Sequence, residues 1–365
     1  MIDFTKLTGI EHDGKVVTQI TDASGRVLWS VRGTKVVLTV KKWTDTTYAG
    51  ETEREGEVFI AFDIYPNPYG VVKVTYNGHT KTITDTTGAS EPNAQTVYFG
   101  TLYGESDGVE ILESATLTIE GGFKQFAVGS YTKKGKTGGL NSTGYCGCVT
   151  SVIEWGNITR IANYAFDSCA SLTSITIPDG VTSISPSAFD SCTGLTSISI
   201  PNGVISIGYN AFIGCTNLQL TSIPSGVTTI DSGAFSSCYG LKFSDNFLNE
   251  GLVTIGSNAF DMSTSDLKPH AFESITIPST VTEIGAHAFR GPIYDAIYAG
   301  MFKRIVMKPK IPPTLNITSS DTQNPSSVFG ASVTTVRIIV PKGCLDAYKT
   351  ANIWSVWGDN FEEEP

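Results

Sequence analysis

Apolar positions recur on a fixed beat through the second half of the chain. Ala-Phe pairs fall at Ala165-Phe166, Ala188-Phe189, Ala211-Phe212, Ala234-Phe235, Ala259-Phe260 and Ala288-Phe289. The first four Phe are 23 residues apart, and the next gaps are 25 and 29. Ile stands five residues before each Phe: Ile161, Ile184, Ile207, Ile230, Ile255 and Ile284. Ile158, Val181, Val204, Val227, Leu252 and Val281 stand eight before. Val149, Leu172, Leu195 and Leu218 stand seventeen before, with Leu241 and Phe272 in that role where a coil carries an insertion.

Each repeat holds two periods. Leu172-Thr-Ser-Ile175-Thr-Ile177-Pro178 alternates, which predicts a short strand with Ile175 and Ile177 inward. Pro178-Asp179-Gly180 ends it with turn chemistry. Ala188, Phe189 and Cys192 then follow at i, i+1 and i+4, which predicts one or two helical turns. One coil cannot bury that inward set alone, so coils must stack. Six of them at about 4.8 Å per stacked strand give a solenoid about 30 Å long. The fit loosens at Leu218-Gln-Leu220-Thr-Ser-Ile223, where Thr221 replaces an inward Ile, and at Leu241, where Lys-Phe-Ser-Asp-Asn replaces the strand. Residues 262–271 and 291–300 read as insertions.

The first third reads as β structure. Val16–Ile20 and Arg26–Trp29 flank an Asp22-x-x-Gly25 turn and predict a hairpin. Strands are predicted at Thr34–Val40, Val58–Tyr65, Val71–Tyr76, Thr80–Thr84, Thr96–Tyr103, Ala115–Glu120 and Gln125–Tyr131, with a type I′ turn at Asn77-Gly78. Seven short strands in about 100 residues suggest an immunoglobulin-like sandwich. The predicted order is a docking hairpin (1–33), a sandwich (34–132), a Gly-rich linker and N-cap (133–148), a solenoid (149–340) and a C-terminal cap (341–365).

Together the coils read Leu-Thr-Ser-Ile-x-Ile-Pro-x-Gly-Val-x-x-Ile-x-x-x-Ala-Phe-x-x-Cys. This resembles the BspA-like bacterial leucine-rich repeats. The tail, Val336-Arg-Ile-Ile-Val-Pro341 followed by Asp346-Ala-Tyr348-Lys and Trp354, resembles that family's C-terminal end: a last strand, Pro, a short helix and a Trp. The resemblance covers residues 149 to about 361. It implies a leucine-rich-repeat solenoid with a helical cap, which together with the preceding strands makes a mainly β chain: an immunoglobulin-like sandwich followed by the solenoid. It further implies an extracellular or surface-exposed bacterial protein used in adhesion or host contact, with no particular ligand.

Composition narrows the chemistry. The chain is 40% hydrophobic and 16% charged with net charge −10, as expected of an ordered globular protein. Arg160, Lys242, Lys268 and Arg290 are the basic residues between Val149 and Arg290, too sparse a set for phosphate tracking or an anionic membrane. No apolar run of about 18 residues predicts a membrane helix. The first residues lack a basic n-region and an apolar h-region, so either no standard secretion signal operates or it has been removed.

Cys169, Cys192, Cys215 and Cys238 occupy one repeat position. Equivalent side chains in stacked coils point the same way, which favours a packing column over disulfides. Cys146-Gly-Cys148 lacks further ligands nearby and reads as an N-terminal cap rather than a metal site, and Cys344 as part of the C-terminal cap. Lys133-Lys-Gly-Lys-Thr-Gly-Gly139 fails as a phosphate loop, because the required first Gly is Ser130, and it reads as linker. No nucleophile elbow or His-Glu-x-x-His is present. Neither cofactor nor metal is expected, and a carboxylate pair for glycoside chemistry is left open.

The expected function is non-catalytic binding by a monomer to a protein or glycan on a host or neighbouring cell surface. The expected site is the outward face of the Leu-x-x-Ile-x-Ile strands: Ser174, Thr176, Ser197, Ser199, Ser222, Ser274 and Thr276, with Trp155 as an aromatic anchor. Tyr164, Tyr209 and Tyr239 lie near coil edges. The alternative is a structural component of an extracellular or virion-like assembly, attached through the N-terminal β region.

Overall fold

The computed structural model describes residues 10–12, 15–17, 19–21, 27–30, 34–41, 59–66, 71–84, 95–102, 105–112, 114–121, 123–127, 149–155, 158, 160–262, 272–291, 293–294, 297–298, 302–316, 326–329 and 336–365. Cys146, Cys148, the Lys133–Gly139 segment, residues 263–271 of the first predicted insertion and half of the second lie outside that set.

The strands predicted between Thr34 and Glu120 form within one or two residues of their predicted bounds; of predicted Gln125–Tyr131, the described part belongs to Phe123–Ala127, and residues 128–131 lie outside the described residues. Gln19–Thr21 pairs with Val27–Ser30 as a hairpin, Ile20 opposite Trp29. Asn77 and Gly78 take φ of 46° and 77°, the two left-handed residues of a type I′ turn. Two antiparallel sheets result. One carries Val149–Glu154, Thr34–Lys41, Ser114–Gly121, Val71–Tyr76 and His79–Thr84 in that order. The other carries Glu105–Ser106, Gln95–Leu102, Phe59–Pro66 and Phe123–Ala127. Tyr76 from the first meets Phe99 from the second, ring centroids 5.6 Å apart, and both are fully buried.

This is a sandwich, but the expected immunoglobulin order is not the one formed. That order pairs the first strand with the second and the seventh with the sixth. Here the first, Thr34–Lys41, pairs with the sixth, Ser114–Gly121, and the seventh, Phe123–Ala127, pairs with the second, Phe59–Pro66. Strand patterning fixes inward and outward faces, and both orders satisfy it equally well.

The strand expected to open the solenoid, Val149–Glu154, joins the first sheet, antiparallel to Thr34–Lys41. The sandwich and the coils therefore share a strand, and buried Val149 belongs to a core that is continuous with the first coils.

The coils stack as predicted. Arg160–Ile161, Ser183–Ile184, Ser206–Ile207, Thr229–Ile230, Thr254–Ile255, Glu283–Gly285 and Thr314–Asn316 form a seven-stranded parallel sheet. Every Ile of the pattern is buried on its inner side, and Leu315 extends the column by one coil. The Phe rings stack at centroid separations of 5.2, 5.1, 5.1, 5.4 and 5.3 Å from Phe166 to Phe289, with planes within 11°. Phe329, at the end of the short helix Ser326–Phe329, adds a seventh ring at 5.7 Å from Phe289. Trp155 closes the first end edge-on to Phe166, and Trp354 and Trp357 close the last over Phe329. The cap helix Leu345–Thr350 buries Tyr348, whose hydroxyl donates to the Pro309 carbonyl at 2.7 Å, while Trp354 Nε1 donates to that of Pro313 at 2.7 Å.

The helical turns expected at Ala-Phe are absent from the six repeats that carry the pair; stacked turns take their place. Tyr164, Ser187, Asn210, Gly233, Asn258 and His287, two residues before each Phe, all have φ between 53° and 69°. Ser168, Ser191, Gly214 and Ser237, two residues after, are also left-handed. These residues stop α-helix propagation and turn the amides outward along the stack. Phe166 N–H donates to Ala188 O at 2.7 Å, Phe189 to Ala211 at 2.7 Å, and the pattern repeats to Phe289, which donates to Val328. Hydrogen bonds that a helix would keep within one coil instead join neighbouring coils.

Candidate binding surface

The expected binding face is interrupted. Ser174–Thr176 and Ser197–Ser199 pair in parallel, with Ser174 opposite Ser197 and Thr176 opposite Ser199, and all four outward residues are exposed. The ladder ends there. The next coil forms no strand, because Thr221 cannot supply the inward apolar contact; flanking bonds persist, Gln219 N–H to Thr196 O at 2.9 Å and Ile223 N–H to Phe247 O at 2.7 Å. Ser222 is exposed on this irregular stretch. In the following coil Phe243 and Phe247 turn inward, both edge-on to Phe260, and fill the space that Ile side chains hold elsewhere. Strands resume at Phe272–Ile277, followed by Phe302–Met307, Arg337–Val340 and Phe361–Glu363 in one parallel sheet.

The seven predicted hydroxyl residues thus split into two patches around Ser222. Ser274 and Thr276, half-buried in the second patch, are already engaged. Both donate to Asp245 Oδ1, at 2.7 and 3.3 Å, and Arg304 pairs with the other oxygen at 3.2 Å. Trp155 packs against the core as an end cap and leaves only part of its ring exposed.

The continuous face is on the opposite strand set and was not singled out from sequence. Arg160, Ser183, Ser206, Thr229, Thr254, Glu283 and Thr314 point outward from successive rungs of the seven-stranded sheet. Beside them runs a second column, Thr182, Ile205, Thr228, Val253 and Thr282. Its amides form a ladder: Ile205 to Thr182 O at 2.9 Å, Thr228 to Ile205 O at 2.9 Å, Val253 to Thr228 O at 2.8 Å, and Thr282 to Val253 O at 3.0 Å. The available signal was the Val-x-x-Ile motif itself. Unlike the Leu-x-x-Ile-x-Ile motif, it survives every insertion.

Burial raises Asp231, which follows the fourth rung of this face, and the turn side carries a further set of shifted groups. Burial pushes Asp167 up to about 7; the Ser168 hydroxyl, donating at 2.9 Å, opposes the rise, and the Asp190 charge adds to it. Burial also raises Asp190, against the pull of the Ser191 hydroxyl. A carboxyl near 7 has the acidity of a general acid, yet the groups acting on Asp167 are Ser168, Asp190 and buried Cys192, with no imidazole among them. Cys169, Cys192, Cys215 and Cys238 are in no disulfide and are fully buried, and burial raises the thiols of Cys192 and Cys215. Among the described residues no group of three or more His, Cys, Asp or Glu is placed to hold a metal ion. None of their helices is long and apolar enough to cross a membrane.

The repeat consensus and its stacking agree with one family model. Residues 159–294 match the BspA type leucine rich repeat region in six copies. These coils are BspA-type leucine-rich repeats. Among solved structures, a leucine rich cell surface protein from Faecalibacterium prausnitzii A2-165 is 25% identical over 60% of this chain and 50% of its own, with TM-score 0.38. A T. pallidum leucine rich repeat protein is 26% identical over 41% of this chain and 66% of its own, with TM-score 0.33. The pneumococcal vaccine antigen PcpA is 18% identical over 60% of this chain and 45% of its own, with TM-score 0.37. The chain spans about half the length of the first of these. Comparison with curated proteins returns no match.

Proposed function

We propose that this chain is a non-catalytic binding protein of a bacterial cell surface, and that its leucine-rich-repeat solenoid engages protein partners. One observation carries the reading: the seven-rung outer face is unbroken, and hydroxyls and aliphatic groups dominate it. Such a surface offers hydrogen bonds and apolar contact over a rigid, regular area, with little of the charge that a partner would have to desolvate. The BspA-type repeat adds the expectation of a surface location. The strand shared with the sandwich suits the N-terminal region to the role of a stiff spacer.

The test is an array of immobilised extracellular-matrix proteins, other host surface proteins and glycans, probed with the folded full-length chain. Saturable binding to a protein is expected. Binding confined to glycans, or to neither class, would refute the reading.

A further inference from the structure

We infer that the seven-rung face takes a basic polypeptide segment carrying an aliphatic or aromatic anchor; this deepens the protein-binding reading above and rests on it. Five large apolar side chains are strongly exposed among the described residues: Ile205 (54%), Tyr209 (55%), Val253 (38%), Ile311 and Val356. Three of the five belong to this face. Ile205 and Val253 stand in the column otherwise filled by Thr182, Thr228 and Thr282, and Tyr209 stands four residues beyond Ile205, where other coils place Pro186, Ser232 and Ser257.

The coil does not require apolar groups there, because its own repeats carry hydroxyls at the same positions. Ile205 and Val253 are two rungs apart, roughly 10 Å, and Tyr209 lies in the turn that follows Ser206–Ile207 of the same coil as Ile205. Such a cluster is of the size in which one or two anchor side chains dominate binding.

The rim supplies the sign of the partner. Asp179 and Glu250 precede the rungs of their coils, Asp231 follows one and Glu283 lies on one. Glu250 accepts from Ser279, and Glu283 from Asn316 Nδ2. Arg160 on the first rung and Lys310, which holds in the last coil the position of Asp179 and Glu250, are the basic residues of this face and rim among the described residues. Four carboxylates against two cations, which sit on the first and last coils, leave the middle rungs net negative; this steers a cationic segment inward and disfavours nucleic acid and anionic lipid. Seven rungs span roughly 29 Å, the length of about nine extended residues.

The experiment is selection of a random twelve-residue phage-displayed peptide library on the full chain. Ile205→Thr/Tyr209→Ser/Val253→Thr, composed of the repeat's own residues, is the comparison protein, and Ser174→Asp/Ser197→Asp alters the other face as a control. The expected peptides are net positive with an aliphatic or aromatic residue. They should lose at least tenfold affinity for the triple variant, keep it for the control, and weaken as salt rises from 50 to 500 mM. Equal melting temperatures of the three proteins establish folding. Acidic or neutral peptides, no enrichment, or unchanged affinity for the triple variant would overturn the inference. If protein partners from the array bind the triple variant normally, the binding function stands and this face is not its seat.

Discussion

Phe189 and Phe212 lie with ring centroids 5.1 Å apart and planes 2° from parallel, each fully buried between two further rings of the same column. Phe212→Ala would remove the ring from both neighbours and open a cavity that the coils on either side cannot close without breaking their hydrogen bonds. The expected cost is about 4 kcal/mol, read as a shift in urea midpoint. The double variant with Phe189→Ala should cost less than the sum of the singles, because both remove one shared contact. Additive costs would mean that the two rings are energetically independent.

Cys192 donates its thiol to the Phe166 carbonyl at 2.9 Å, Cys215 to Phe189 and Cys238 to Phe212 at 3.0 Å. The column therefore has a polar role as well as a packing one. Iodoacetamide at pH 8 with peptide mapping should label half-exposed Cys344 in the native protein. It should spare Cys169, Cys192, Cys215 and Cys238 until denaturant is added. Native labelling of any of the four would contradict a closed column.

Asp167 predicts a pH dependence. Its acidity lies near 7 in the folded chain against an ordinary 3.8, so the folded state keeps a proton that the unfolded state loses. Stability should be greatest near pH 4, fall as pH rises to about 7, and level off above that. Asp167→Asn should flatten this slope and stabilise the protein at pH 8 by roughly 2 kcal/mol. Urea titrations at several pH values provide the check, and an unchanged slope in the variant would assign the effect to other groups.

Close approach of successive coils makes two glycines unequal. A Cβ on Gly226 would stand 1.8 Å from the Asn202 carbonyl oxygen, whereas one on Gly180 meets only the Ile158 oxygen at 3.5 Å. Gly226→Ala should cost about 3 kcal/mol, since backbone must move. Gly180→Ala should stay within about 0.5 kcal/mol. Thermal melts of the pair test the spacing between coils directly.

The regular coils were legible because their inward residues repeat: the spacing of Ala165-Phe166 and its successors fixed both the ring column and the Ile column. The seventh coil was hidden because Val328-Phe329 replaces Ala-Phe and Leu315 lies fourteen residues before its Phe rather than five. Ala188, Phe189 and Cys192 have helical spacing, but the left-handed backbone at Ser187 and Ser191 turns the same inward set into stacked turns. Ser and Asn there report their conformation only weakly, since both also suit ordinary loops. The strand face was over-read at Ser222, where Thr221 withdraws the inward contact that keeps a rung straight. The strands of the sandwich were read from alternation. Their partners were not, since a change of neighbour for Thr34–Lys41 or Phe123–Ala127 leaves the pattern unchanged.

The partnership of Val149–Glu154 with Thr34–Lys41 has a mechanical consequence. Tension applied between the two halves of the chain passes through a hydrogen-bonded ladder and a buried valine before it reaches the first coil. A bound partner pulling on the solenoid would load that seam first. The force at which the chain yields would then be set by one six-residue strand.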